Sequence, residues 1–176
     1  PYMSVKKMKG IFKVFLPIPP LFCVPTTAGT GSETTLAAVI SNPETHEKFA
    51  ISDIKIVPKI AVLDPELMVG LPPHITSTTG MDALTHAVEA YIGLNGNKFT
   101  DENAEIATKL VFENLEEAYK NGSNLEARNN MALASFHGGA AFTRAYVGYV
   151  HAIAHNLGGM YGVPHGLANA VILPYI

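Results

Sequence analysis

Cysteine is nearly absent from this sequence: Cys23 stands alone among 176 residues. No internal disulfide can form, which fits a reducing compartment and predicts a cytoplasmic protein. Charge of one sign is lacking too. The net charge of −3 gives no basic footprint, so nucleic acid is not an expected partner. No run of about 18 uninterrupted apolar residues occurs, and no membrane span is expected. The N-terminus has no signal-peptide layout, and neither internal repeats nor low-complexity tracts are visible. The sequence opens on Pro1 rather than Met and ends at Ile176 inside an apolar run without a helix-ending signal, so an incomplete chain is expected.

What is present describes a packed globular protein, with 48% hydrophobic and 15% charged residues. The length suffices for one core or for the joined parts of two domains. The first half reads as short strands broken by proline and glycine. Lys9–Pro17 alternates partly, as an edge strand or hairpin arm would. Leu21–Val24 and Ile60–Leu63 are compact apolar runs of the kind that buried strands use, with Cys23 as a small core residue. Val39–Ser41 and Phe49–Ile51 flank the turn signal Asn42-Pro43-Glu44, which predicts a hairpin. From Thr79 onward the apolar period becomes three to four, predicting helices over Gly80–Tyr91, Glu102–Tyr119, Leu125–Phe136, Val147–Leu157 and Gly166–Val171, the second stopped by Asn121-Gly122. The composition shifts near Leu71-Pro72-Pro73, the expected boundary between a unit at 1–71 and one at 72–176. Strands come first and helices after.

Chemistry concentrates in the helical half. Asp82 and His86 are four apart, so on a helix they share a face one turn apart and can offer a carboxylate oxygen and an imidazole nitrogen to one ion. Alone, that pair is weak evidence, because an Asp four before a His is more often a helix-surface ion pair. His151 and His155 repeat the spacing in apolar surroundings, where buried imidazoles need partners for both nitrogens; backbone carbonyls are one solution and a metal is another. His165 lies in a Gly/Pro turn from which it can swing back toward the preceding helix. One carboxylate and several imidazoles from two helices and a turn suit zinc, iron or nickel. A structural site would close its shell with cysteines, which are unavailable, so the site reads as catalytic. His46 reads as solvated and His74 as exposed, while His137, before Gly138-Gly139, reads as a helix-end residue facing the dipole.

A second feature is the turn Pro25-Thr26-Thr27-Ala28-Gly29-Thr30-Gly31-Ser32-Glu33-Thr34-Thr35. It follows an apolar strand, and Ser32–Thr35 predicts entry into a helix. Backbone amides of such a turn, helped by hydroxyls, suit a phosphate or a polar cofactor edge. It is not the dinucleotide fingerprint, since Thr34 stands where the third glycine belongs, and it reads equally as a capping turn.

In this order, PTTAGTGSE, GMDALTHAVEAY and VHAIAHNLGGMYGVPHG resemble the iron-containing (group III) alcohol dehydrogenase family, over roughly Pro17 to Ile176. The resemblance implies a dehydroquinate synthase-like fold: an α/β N-terminal part, here the remnant of an NAD(P)-binding domain, and an all-helical metal-binding domain, with catalysis between them. It implies Asp82, His86, His151 and His165 as ligands of Fe(II) or Zn, and His155 as a proton relay beside the nicotinamide. It places Thr26, Thr27, Thr30, Thr35 and Lys48 at the cofactor, NAD or NADP, and Phe142 on the substrate pocket. The family's Gly-rich pyrophosphate motif belongs upstream of Pro1, and further helices belong after Ile176. The activity implied is interconversion of a small alcohol with its aldehyde or ketone by hydride transfer, in a homo-oligomer, dimeric or larger. Two other readings stay beside it. One is a metal- and NAD-dependent lyase or cyclase on the same fold, whose metal shell usually includes a glutamate; the other is a non-catalytic, metal-stabilised helical assembly module.

Overall fold

A computed structural model describes residues 4–41 and 48–176, with Ser41 and Lys48 described in their backbone alone. Among these residues, strands β1 (Gly10–Ile11), β2 (Phe22–Cys23), β3 (Ala37–Ser41), β4 (Lys48–Ser52) and β5 (Ile60–Ala61) come first. Helices α1 (Pro73–Ile92), α2 (Lys98–Lys120), α3 (Leu125–Ala145), α4 (Tyr149–Tyr161) and α5 (His165–Ile172) follow.

The expected hairpin forms: β3 and β4 pair antiparallel from Ala37↔Ser52 to Ser41↔Lys48. Its turn, with Asn42-Pro43-Glu44 and His46, lies outside the described residues. β1 joins β4 in parallel at the sheet's edge, and β2 pairs with β5 in parallel as a separate ladder. The Lys9–Pro17 strand shrinks to two residues, because Gly10 at φ 106° and Phe12 at φ 55° leave the extended region around Ile11. Leu21–Val24 and Ile60–Leu63 are not buried as expected. Phe22 is 58% exposed and Ile60 48% exposed, since a two-stranded ladder has no second layer to cover them, and Cys23 is only half-buried.

All five helices run longer than their apolar periods predict, with α1, α2 and α5 also starting earlier, α3 starting at Leu125 as expected and α4 two residues later. The start of α1 is a polar run whose hydroxyls return to the preceding turn, Thr78 Oγ1 to the His74 carbonyl and Thr79 Oγ1 to the Ile75 carbonyl, both at 2.8 Å. A capping box at Asn97 and Thr100 opens α2, and Asn121 closes it as predicted. His137 is not at a helix end, because α3 continues through Gly138-Gly139 to Ala145. Those glycines serve contact rather than termination. A Cβ on Gly138 would lie 3.1 Å from the Ala83 carbonyl, and one on Gly139 would lie 2.2 Å from Thr34 Oγ1. Tertiary packing here outweighs the weak helix propensity of glycine.

Helices α1, α2 and α3 pack mutually, α5 rests on α1, and α4 rests on α5. The core is built mostly of alanine, with Met68, Leu84, Val111 and Met131 as its larger members. A second cluster of Ala87, Ala90, Ala104, Ala107, Ala141 and Ala145 brings α1, α2 and α3 close around Phe142. Small side chains let these backbones approach tightly, which leaves α1 central and fixes the residues it carries.

Candidate metal centre

Helix α1 presents Asp82, His86 and Glu89 at i, i+4 and i+7 on one buried face. Asp82 Oδ1 is the hub. His86 Nε2 lies 3.9 Å from it, His151 Nε2 3.5 Å and His165 Nε2 3.3 Å. One ligand atom from each of Asp82, His86 and His151 falls within 4.8 Å of the others. His165 reaches the same oxygen from outside that trio. Its place depends on Gly166, where a Cβ would sit 1.9 Å from the Thr78 carbonyl, so α5 starts pressed onto α1 one turn before Asp82.

Burial sets the electrostatics. It pushes the His86 pKa down to about 4, against the pull of Asp82, and the ring is neutral at ordinary pH. Its Nδ1 has no well-formed hydrogen bond, the Gly29 backbone lending only a weak favourable dipole. Burial would raise Asp82, but the imidazoles of His151, His165 and His86 gathered around it hold it well below the carboxylate range. Burial would lower His151, but Asp82 and Glu89 overrule it and hold the ring above its usual value. A buried carboxylate facing several imidazoles stores attraction for a cation.

Two residues of this cluster are not among the site residues expected from the sequence. Glu89 Oε2 lies 2.6 Å from His151 Nδ1, and Glu89 Oε1 accepts from the Val150 amide at 2.7 Å. Asn169, fully buried, donates from Nδ2 to Asp82 Oδ1 at 2.7 Å, with His151 and His165 Nε2 within 3.4 Å. The signal for both was present: Glu89 continues the Asp82–His86 stripe by one more turn, and Asn169 is four residues after His165.

His151 is buried, whereas His155 is exposed, which corrects the expectation that both are enclosed. One helical turn separates them, and α4 turns His155 outward, where it stacks on the His165 ring at 5.0 Å between centroids. Phe142 stacks on His86 at 4.1 Å, so it joins the cluster from α3.

The threonine-rich turn does not enter a helix as predicted. Gly31 adopts the left-handed conformation at φ 57°, a single 3-10 turn follows over Ser32–Thr34, and the chain leaves as β3. Contact with α3 imposes this. The Gly31 amide donates to Ser135 Oγ at 3.2 Å, and a Cβ on Gly31 would lie 2.6 Å from Gly139 Cα. Thr35 is buried, its hydroxyl donating to the Ala37 carbonyl at 3.1 Å, and Thr30 Oγ1 accepts from the Ser32 amide at 3.3 Å. Thr26 is exposed and Thr27 half-buried, both on the stretch entering the turn. The side chain of Lys48 lies outside the described residues.

Comparison with known proteins agrees with this architecture. The description "Iron-containing alcohol dehydrogenase" matches residues 3–65, and "Fe-containing alcohol dehydrogenase family, C-terminal" matches residues 76–176. The chain belongs to the iron-containing alcohol dehydrogenase family. It is 52% identical over 167 residues to the 1,3-propanediol dehydrogenase of Klebsiella pneumoniae, a match covering 95% of this chain and 43% of that protein. A crystal structure of a 1,3-propanediol oxidoreductase superposes with a TM-score of 0.93 at 50% identity, covering 98% of this chain and 45% of that one. The sulfoacetaldehyde reductase of Bifidobacterium kashiwanohense, solved with NAD+, superposes at 0.90 with 36% identity, covering 99% and 47%. The chain thus has the fold of this dehydrogenase family and spans under half the length of these relatives. Among the described residues no helix is long and apolar enough to cross a membrane.

Proposed function

We propose that this chain carries the ion site of a nicotinamide-linked alcohol dehydrogenase that interconverts a small alcohol and its aldehyde or ketone. The observation that carries the reading is Asp82 Oδ1 facing three imidazole Nε2 atoms at 3.3–3.9 Å in a buried setting. Ligands about 2.0–2.2 Å from a tetrahedral ion are spaced by about 3.4 Å from one another, so Asp82 Oδ1 stands nearly as far from each imidazole nitrogen as a shared ion would set it. Without a cation or a proton, such lone pairs face one another at a cost. The residues therefore fit the group, with Asp82, His86, His151 and His165 as its ligands. The family's name supports iron; zinc suits the same donors.

A divalent ion held there supplies Lewis acidity toward an alcohol or carbonyl oxygen, and the nicotinamide supplies the hydride acceptor. The chain's own residues do the rest. Phe142, stacked on His86, walls the substrate side and excludes water from the cluster. His155, exposed and stacked on His165, stands between the cluster and solvent, where its ring takes the hydroxyl proton outward. The exposed Thr26 and Thr30 with Thr27 hold the nicotinamide edge, Thr35 braces their turn from below, and Lys48 serves the cofactor's ribose and phosphates. NAD is supported by the NAD+ complex of the sulfoacetaldehyde reductase, with NADP as the alternative. The division at 71/72 belongs to this reading and is supported by family matches that end at residue 65 and resume at 76. So do a cytoplasmic location, which the single cysteine supports, and a homo-oligomer.

Metal analysis after anaerobic loading tests the centre. About one iron or zinc per chain, lost in both Asp82→Ala and His165→Ala, is expected. Undiminished metal in both variants refutes the ligand set, and a full-length protein oxidising alcohols as well without metal as with it refutes the reaction.

A further inference from the structure

We propose that Glu89 is the positioning residue of this centre: by accepting the proton-bearing Nδ1 of His151, it holds that ring in the tautomer whose Nε2 lone pair faces Asp82. The inference rests on the ion site proposed above and adds a residue outside its ligand set. An imidazole can ligate through Nε2 only when that nitrogen carries no proton, which in a neutral ring puts the proton on Nδ1. A carboxylate is acceptor-only. Glu89, kept ionised by its surroundings, therefore calls for a proton on Nδ1 at this 2.6 Å contact with Oε2. Both side chains are buried, Glu89 to 3% exposure and His151 to 1%, so water does not offer Nδ1 a competing partner.

The carboxylate is itself fixed. Its Oε1 accepts from the Val150 amide at 2.7 Å in the first turn of α4, which leaves Oε2 no choice of direction. Gly148 lets this happen, because a Cβ there would lie 2.8 Å from Oε1. Glu89 thus ties the start of α4 to α1 and orients the one α4 side chain that faces Asp82. An outer carboxylate of this kind fixes ring orientation and raises ligand basicity.

Glu89→Gln separates positioning from plain support. The amide oxygen of Gln can still accept from Val150 N–H, which keeps the start of α4 intact. Its NH2 group then faces His151 and demands an acceptor at Nδ1, which drives the ring proton to Nε2, the ligating atom. Zinc titration against a competing chelator is expected to show a dissociation constant raised about 10–100-fold in Glu89→Gln. In the ion-free protein at alkaline pH, nitrogen NMR of the neutral His151 ring is expected to find the proton on Nδ1 in the wild type and on Nε2 in the variant. Zinc affinity within about twofold of wild type in Glu89→Gln, with binding abolished in Asp82→Ala, overturns the role of Glu89 while the ion site stands. Equal binding by the wild type and both variants overturns the ion site and this inference together. A wild-type proton on Nε2 overturns the role of Glu89 without any variant having to fold.

Discussion

Replacing Gly166 by Ala adds one methyl group where α5 meets α1. The new Cβ would sit 1.9 Å from the Thr78 carbonyl oxygen, where ordinary contact begins at 3.4 Å. The obstacle is helix backbone, which cannot rotate aside as a side chain would, so α5 must retreat by about 1.5 Å. Overpacking of this kind costs about 1–3 kcal/mol. Alanine's advantage over glycine in a helix interior, about 1 kcal/mol, is mostly forfeited at the second residue of α5. For a chain of this length the loss lowers the melting temperature by about 2–10 °C. The same retreat carries His165, the adjacent residue, away from Asp82 Oδ1, which it approaches at 3.3 Å. A donor moved by more than an ångström leaves the shell of an ion whose bonds are about 2 Å long. Gly166→Ala is therefore expected to melt lower and to bind zinc at least about tenfold more weakly. Differential scanning fluorimetry and chelator-competed zinc titration give the two readouts. Wild-type values in both would show that α5 is not seated on α1 through Gly166.

Two further outcomes concern the scaffold. Arg128, buried to 3% exposure, donates to Thr76 Oγ1 at 2.6 Å and to the Gly122 and Leu71 carbonyls at 2.9 and 3.3 Å; Arg128→Ala strands these acceptors and costs about 3 kcal/mol, read as a lower urea midpoint. Burial holds the pKa of His137 below its usual value, so the unfolded chain binds that proton more readily than the folded one. Its contribution is complete above about pH 6.5 and is lost as the pH falls below that toward the folded value. Urea midpoints are thus expected to drop between about pH 8 and about pH 5, and to drop less in His137→Gln; an equal drop in both proteins refutes the assignment.

The order of the fold was legible because period is a local property. Alternation and turn residues located the β3–β4 hairpin, and three-to-four spacing located all five helices. Their ends were not legible where tertiary contact decides them. Gly138-Gly139 spells termination in sequence, yet α3 runs through it because its missing side chains admit Ala83 and Thr34. The turn after Thr30 spells a helix start, yet Gly31 is clamped to Ser135 and Gly139 more than a hundred residues away, and β3 follows instead. In the centre, spacing supplied the Asp82–His86 pair and its grouping with the later histidines, and the resemblance sorted His151 as ligand from His155 as relay. Neither separated His151 from His155 by burial, because that depends on which side of α4 meets α1 and α5.

The centre is assembled by absences of side chain as much as by its donors. Asp82 and His86 come preset from one helix and need only helical geometry. His165 and His151 must be brought to them from separate elements, and each arrives beside a glycine pressed against α1 or its carboxylate: Gly166 on the Thr78 carbonyl, Gly148 on Glu89. The threonine-rich turn docks by the same device, Gly31 against Gly139. The contacts of Gly166 and Gly31 are backbone on backbone and leave no rotamer to relax, while Gly148 packs on a Glu89 side chain that is itself buried and held by the Val150 amide. The alanine clusters between α1, α2 and α3 extend that logic to the scaffold. An ion site demands donors placed to within a few tenths of an ångström. A core of small residues meets that demand, because its helices have few ways to pack other than the observed one.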